Sequence, residues 1–255
     1  MRSGAIFLPG VITPAEVAYS ALRAAFDDPG KIILRNLAVY DTDEPPTDYD
    51  LDAEIAAVLD TAKGAGLDRF HMVGYSAGGA VAAAVAARNP ERLVSLALLE
   101  PAWLGNAAMR GEERDAHEAI IAAIGLAPEE VFPTFVRLQL APGAQAPSPP
   151  PGPPPAWMAK RPSGLKAIEA AFRGYELDME ALRRFPRPVL YILGGLSNPA
   201  LYRRRAERAR ELFSDFTLEE FADRHHFSPP HRMEPKRVVE ILQALWARAE
   251  ATEVL

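Results

Sequence analysis

A serine lies between two glycines in the segment Gly74-Tyr75-Ser76-Ala77-Gly78, which fits the pattern G-x-S-x-G. An apolar run precedes this segment and an alanine-rich run follows it, so Ser76 is predicted at a turn between a strand and a helix. Gly74 and Gly78, two residues before and after the serine, permit such a sharp turn because they lack bulk. The amide of Ala77 then lies at a helix N-terminus, where it can donate to a developing oxyanion. These features together predict a nucleophilic serine, the alternative being a tight turn with a solvated serine.

A serine hydroxyl is activated when a base takes its proton and an acid orients that base. The segment DRHHFSPPH near the C-terminus offers His225, His226 and His231 as candidate bases. The run RLVSLALLE ends in Glu100, and a carboxylate at the end of an apolar strand is costly to bury unless it is paired. Asp223, close to the histidines in sequence, is a second candidate acid. His71 is predicted to be a packing residue, and His117 is predicted on a helix facing either a pocket or solvent.

Strands and helices alternate along most of the chain. Predicted strands cover residues 5–10, 31–40, 69–75, 92–100, 188–195 and 215–221. Predicted helices cover residues 14–26, 50–66, 77–90, 199–213 and 235–250. The basic run at 202–210 is predicted to be a solvated helix face. Because the strands are apolar throughout, the pattern predicts an α/β fold, with a mainly parallel sheet flanked by helices on both faces.

The composition is that of an ordinary globular protein, with 49% hydrophobic residues, 24% charged residues and a net charge of −6. Basic residues are spread along the chain, which argues against a nucleic-acid partner. The absence of cysteine excludes disulfides, thiolate nucleophiles and cysteine-ligated metals, and we expect neither a metal nor a cofactor. The N-terminal apolar run is too short for a signal peptide, and no run approaches the length of a membrane span. We therefore expect a cytoplasmic monomer or homodimer with no membrane partner.

Residues 5–100 and 186–250, with Ser76 in this context, resemble the α/β-hydrolase fold superfamily. In that family the catalytic histidine is usually followed by an aromatic residue, which implies His226, since Phe227 comes next. His225 is the alternative if the loop register differs by one residue, and His231 is expected in a loop. The family's second oxyanion donor comes from the loop after the first strand, which implies the backbone amide of Val11, with that of Ile12 as the next candidate.

The position of the acid departs from the commonest pattern of the family. Most members have an aspartate just after the strand that follows the cap, where this chain has Ser197 and Asn198. One subgroup of haloalkane dehalogenases takes its acid from the strand after the nucleophile helix. The resemblance to that arrangement implies Glu100 as the triad acid, with Asp223 as the fallback.

The alternation of strands and helices is interrupted after the fourth strand. Residues 1–103 and 185–255 are predicted to form the hydrolase core, and 104–184 a helical cap containing a proline-rich loop at 141–155. Contacts with the substrate are predicted for Tyr75 and for four further aromatic residues, which are equally consistent with packing: Trp103, Phe132, Phe135 and Trp157.

The predicted function is that of a cofactor-free serine hydrolase acting on a small-molecule acyl substrate. Ser76 would attack an ester, thioester or lactone and form an acyl-enzyme, which water then releases. Hydrolysis of a C–C bond and perhydrolase chemistry use the same triad and stay open. A non-catalytic ligand-binding protein of the same fold is the alternative from a different class.

Overall fold

The computed structural model describes residues 3–148 and 152–252. Within this part of the chain, six strands form one sheet in the order β2-β1-β3-β4-β5-β6, and every neighbouring pair is parallel. The strands are β1 (Gly4–Leu8), β2 (Ile32–Leu34), β3 (Phe70–Tyr75), β4 (Leu93–Leu99), β5 (Val189–Gly194) and β6 (Phe216–Phe221). The predicted α/β class with a mainly parallel sheet is confirmed.

Helices pack on both faces of this sheet. They are α1 (Ala15–Ala18), α2 (Ser20–Ala24), α3 (Leu51–Gly64), α4 (Ala77–Arg88), α5 (Gly111–Ile124), α6 (Pro128–Leu138), α7 (Arg161–Gly174), α8 (Met179–Arg183), α9 (Tyr202–Leu212), α10 (Pro230–Met233) and α11 (Pro235–Thr252). One hydrophobic core joins the sheet to α1, α2 and α11, and the other joins it to α3, α4 and α9. The α4 helix is buried along nearly its whole length, since its alanines let it lie close to the strands.

The register of the strands brings their carboxyl ends together at one edge. Tyr75 of β3 pairs with Leu99 of β4, so Ser76 and Glu100 follow at the same level of the sheet. The Glu100 amide donates to the carbonyl of Ile192 in β5 at 3.1 Å. Three adjacent strands therefore position the residues that follow them.

Two predicted elements are shorter than expected. The strand predicted at 31–40 is paired only over Ile32–Leu34, because the Glu54 carboxylate accepts from the amides of Ala38 and Val39 in place of a neighbouring strand. The helix predicted at 14–26 is interrupted at Tyr19, whose hydroxyl donates to the Leu8 carbonyl at 2.7 Å.

Helices α5 to α8 lie between β4 and β5, where the sequence predicts a helical segment. We call residues 104–184 the insertion. The described residues of the proline-rich loop form neither helix nor strand, and residues 149–151 of that prediction lie outside the described part of the chain. No helix among residues 3–148 and 152–252 combines the length and hydropathy that crossing a membrane requires.

Candidate active site

Ser76 occupies the turn between β3 and α4, as the sequence predicts. Its φ is 54°, in the left-handed region that costs energy for a residue with a side chain. Neighbouring glycines make the turn possible. A Cβ on Gly74 would lie 2.2 Å from the Gly78 carbonyl oxygen, and one on Gly78 would lie 2.5 Å from the carbonyl oxygens of Leu8 and Pro9. The glycines are therefore required by close backbone approach on both sides of the serine.

Three side chains from distant parts of the sequence meet at this turn. The Ser76 Oγ lies 3.0 Å from Nε2 of His226, and Nδ1 of the same ring lies 3.1 Å from Oε2 of Glu100. All three residues are buried, with at most 6% of their surface exposed. The distances fit a serine, a base and an acid in the order that acyl transfer requires.

Glu100 is held in place by the sheet. Its Oε1 accepts a hydrogen bond of 2.8 Å from the amide of Gly194 at the end of β5, which leaves Oε2 facing the imidazole. Its φ is 44°, and within residues 3–148 and 152–252 only Ser76 and Glu100 are non-glycine residues with positive φ. Backbone strain of this kind persists where the surrounding structure fixes the residue.

The ring of His226 is fixed from several directions. Tyr202 stacks on it, with the ring centroids 4.5 Å apart and the planes 19° from parallel. The hydroxyl of Tyr75 donates to the His226 carbonyl. Burial raises the pKa of both tyrosines well above the usual value, with a further contribution from the charge of Glu100, so both hydroxyls stay protonated. These contacts orient the imidazole towards Ser76.

The other candidate residues point elsewhere. The Nδ1 atom of His225 accepts from the amides of Phe227 and Ser228, so this ring stabilises its own loop. His231, expected in a loop, lies in α10 and is fully buried between Tyr19 and Tyr75.

Neither alternative position for the acid faces the imidazole. Asp223 is exposed. The side chain of Asn198 donates to the Leu138 carbonyl and accepts from the Ala200 amide.

Two backbone amides are placed to bind an oxyanion. The amides of Val11 and Ala77 have no hydrogen-bond acceptor among the described residues, and both residues line a cavity with Ser76. The loop carrying Val11 is held by two bonds: the Gly78 amide donates to Pro9, and the Tyr40 hydroxyl donates to the Val11 carbonyl. Free amides in this position match the requirement for stabilising a tetrahedral intermediate.

The sequence profile of the alpha/beta hydrolase family matches residues 7–241. The chain belongs to the alpha/beta hydrolase family. This confirms the resemblance inferred from the sequence and supports a hydrolase. No curated protein matches the chain.

Solved structures with the same fold include several hydrolases. A thermophilic esterase from Thermogutta terrifontis aligns with a TM-score of 0.72 and 15% identity, over 97% of this chain and 90% of its own. A membrane phospholipase A, described as a bacterial virulence factor, aligns with a TM-score of 0.69 and 21% identity, over 97% and 79% of the two chains. A proline iminopeptidase from Mycobacterium smegmatis aligns with a TM-score of 0.62 and 17% identity, over 98% and 91%. At these identities the likeness establishes the fold.

Two cavities adjoin Ser76 in this alpha/beta hydrolase. The outer cavity, of about 70 Å³, lies on the His226 side and is lined by Gly10, Val11, Ile12, Thr13, Ala18, Tyr75, Ser76, Phe135, His226, Phe227, Pro229, His231 and Arg232. The inner cavity, of about 10 Å³, is lined by Val11, Ser76, Ala77, Ala102, His117, Ile120, Phe135, Gln139, Ile168, Glu169, Tyr202 and Arg205. A larger cleft of about 490 Å³ between α5, α8 and α9 does not include Ser76.

The predicted substrate contacts divide into two groups. Tyr75 lines the outer cavity and Phe135 lines both. The structure does not bring Trp103, Phe132 or Trp157 to either cavity. Trp103 is fully buried, because its ring stacks on a phenylalanine of α7 and its Nε1 donates to the side-chain Oδ1 of Asn106. The Trp157 ring lies 5.1 Å from the guanidinium carbon of an arginine at the start of α7.

Two polar residues near Ser76, Arg205 and Glu169, are not among the site residues that the sequence predicts. Arg205 lies in the basic run 202–210, predicted as solvated, yet its side chain is fully buried. The sequence does contain a signal for this burial, because Tyr202, Arg205 and Ala209 recur at helical spacing on the buried face of α9. Glu169 of α7 likewise lies at helical spacing from the buried residues Leu165 and Phe172, although its burial depends on the packing of the insertion.

Proposed function

We propose that this protein is a cofactor-free serine hydrolase that cleaves an ester, thioester or lactone through an acyl-enzyme on Ser76. The proposal rests on one observation above all: Ser76, His226 and Glu100 are joined by contacts of 3.0 and 3.1 Å beside two unpaired backbone amides. No other part of the arrangement is needed to begin acyl transfer.

In the proposed acylation step, His226 Nε2 takes the proton of Ser76 as Oγ attacks the carbonyl carbon. The amides of Val11 and Ala77 stabilise the oxyanion, and Glu100 stabilises the imidazolium. Collapse of the intermediate breaks the bond to the leaving group, which receives the proton from His226. Water then repeats the sequence on the acyl-enzyme, with His226 as base, and releases the carboxylic acid.

A fluorophosphonate probe tests this proposal, because it labels only an activated serine. We expect labelling of the wild-type protein and none of Ser76→Ala. Ser197→Ala is the matched control, since it removes another buried hydroxyl that does not contact His226. Wild-type protein that is folded and unlabelled would contradict the proposal and favour a non-catalytic ligand-binding role.

A further inference from the structure

The inner cavity beside Ser76 is lined by three buried polar residues from three helices: His117 of α5, Glu169 of α7 and Arg205 of α9. Each has a buried atom without a hydrogen-bond partner among the described residues, namely Nδ1 of His117, Oε2 of Glu169 and Nη2 of Arg205. Buried polar atoms are nearly always paired in a folded protein. Three unpaired atoms around one cavity indicate a place for a polar ligand group.

The charges around this cavity favour an anion. Arg205 Nε pairs with Glu113 at 3.1 Å, and the same carboxylate oxygen also accepts from Arg208 at 2.8 Å. Two guanidinium groups thus share one carboxylate. Burial raises the pKa of Glu169 to about 7, although Arg205 and Arg173 oppose the shift, so this carboxyl group supplies only a partial counter-charge at neutral pH.

His117 adds no charge to the cluster. Burial, together with the smaller effect of the positive charges of nearby arginines, lowers its pKa to about 3, so the imidazole is neutral. A neutral imidazole can donate from one ring nitrogen to a ligand oxygen. The cavity therefore combines a cation whose charge is only partly compensated with further hydrogen-bonding groups.

The geometry of the two cavities assigns the inner one to the acyl group of the substrate. The leaving group must come within reach of His226 to be protonated, and His226 lines the outer cavity but not the inner one. Ala77, whose amide is proposed to bind the oxygen of the acyl carbonyl, lines the inner cavity and not the outer one, whereas Val11 lines both.

We propose that the acyl group of the substrate ends in a carboxylate, which binds in the inner cavity to Arg205 Nη2, with His117 and Glu169 as further partners. The proposal rests on the proposed function, since it names the substrate class of that site: monoesters or thioesters of short dicarboxylic acids. Hydrolysis releases the free dicarboxylic acid and leaves the binding carboxylate unchanged.

The narrowness of the inner cavity limits the acyl chain. A volume of about 10 Å³ is close to the space that a single water needs, so a ligand group must displace the side chains of α5 and α7. On the outer side of these helices, Glu169 also lines a groove with Lys166 and Arg173, and His117 lines one with Arg114 and Arg173. These cations line an approach for an anionic acyl group between α5 and α7.

Matched substrates test the charge directly. Methyl hydrogen succinate and methyl hydrogen glutarate are compared with their primary amides, which have similar size but no charge. We expect kcat/KM to be higher for each carboxylate by about tenfold or more, as a hydrogen bond to a charged group implies. Equal values, with hydrolysis that depends on Ser76, would overturn this proposal and leave the proposed function standing.

Two variants on α9 test whether Arg205 binds the carboxylate of the substrate. The carboxylate preference is the ratio of kcat/KM for the carboxylate to kcat/KM for its amide. Arg205→Lys is expected to reduce this preference by about tenfold, because lysine lacks the forked donor of arginine. Arg203→Lys is the control, since Arg203 is half-exposed on the same helix and pairs with Glu220. An unchanged preference in folded Arg205→Lys would contradict the proposal.

The wild-type protein supplies a readout if Arg205→Lys fails to fold. The groups that face Glu169 are Arg205, Arg173, Lys166 and His117. As pH rises from about 6 to about 8, Glu169 ionises and repels the ligand carboxylate, so the preference should fall. Glu169→Gln should remove this dependence, and a preference that does not change with pH in the wild type would count against the site.

A binding measurement keeps the two proposals separable. In Ser76→Ala, which cannot turn over, calorimetry compares methyl hydrogen glutarate with its amide. A lower Kd for the carboxylate by about tenfold supports the site even if no ester is hydrolysed by the wild type. Equal Kd values would overturn the carboxylate site whatever the outcome of the probe experiment.

Discussion

The two sides of Ser76 differ in how fully their polar groups are paired. On the triad side, the serine hydroxyl contacts His226, the imidazole contacts Glu100, and the second oxygen of Glu100 accepts from Gly194. On the inner side, Arg205 and the residues facing it keep unpaired buried atoms. The triad is complete without a ligand, whereas the inner cavity is complete only with one.

The difference follows from the elements that carry each side. Glu100 and Ser76 come directly after paired strands, and the sheet fixes their backbone. The inner residues come from α5, α7 and α9, two of which belong to the insertion. The sheet therefore carries the proposed chemistry, and the insertion carries the proposed selectivity.

Substitution of the two neighbouring histidines should give the largest difference in kcat/KM. His226→Ala should lower kcat/KM by about a thousandfold or more, because the base and general acid are lost. The kcat/KM of His225→Ala should stay within about tenfold of the wild-type value, since the His225 ring only accepts hydrogen bonds from amides of its own loop. Steady-state kinetics with an activated ester measures both, and an inactive His225→Ala beside an active His226→Ala would reverse the assignment.

Removal of the charge at Glu100 should have the next largest effect. Glu100→Gln keeps the side-chain volume but leaves the imidazolium without a counter-ion, so kcat should fall by about a hundredfold or more. Asp223→Asn is the control, because Asp223 is exposed. Near wild-type kcat in a folded Glu100→Gln protein would show that the acid is elsewhere or is not required.

The inner cavity should affect stability in a pH-dependent way. The pKa of Glu169 is raised in the folded protein, so the wild type loses stability as pH rises from about 4.5 to about 7. Glu169→Gln should therefore gain stability relative to the wild type over this window, by up to about 3 kcal/mol at higher pH. Urea unfolding across this range measures the gain, with exposed Glu118→Gln as the control. A constant difference between variant and wild type would show that Glu169 does not titrate there.

The smallest effect is expected in the proline-rich loop. Deletion of residues 145–154 should change Tm by no more than about 3 °C, because the described residues of this segment are exposed and form neither helix nor strand. The preceding contacts of Leu140 and Ala141 with Ser197 and Leu196 are kept in this variant. A large fall in Tm, followed by circular dichroism, would mean that the loop packs on the rest of the protein.

Local sequence patterns predict the fold class and the turn at Ser76 because their causes are local. Glycines allow the turn, and an apolar strand that ends in Glu100 indicates a paired carboxylate. Arg205 differs, since its burial is set by Glu113, 92 residues away in the chain. Two of the aromatic residues predicted to contact the substrate show the same limit: Phe135 reaches the cavities and Trp103 does not, because packing with neighbouring helices decides where each ring lies.

Detection of the acyl-enzyme itself tests directly whether Ser76 is the nucleophile. The protein is mixed with p-nitrophenyl acetate, quenched in acid within the first turnover, and examined by intact mass spectrometry and peptide mapping. We expect an acetyl group on the peptide containing Ser76, and none in Ser76→Ala. Rapid release of p-nitrophenol by the wild type, with the acetyl group on another residue or on none while Ser76→Ala remains active, would contradict it.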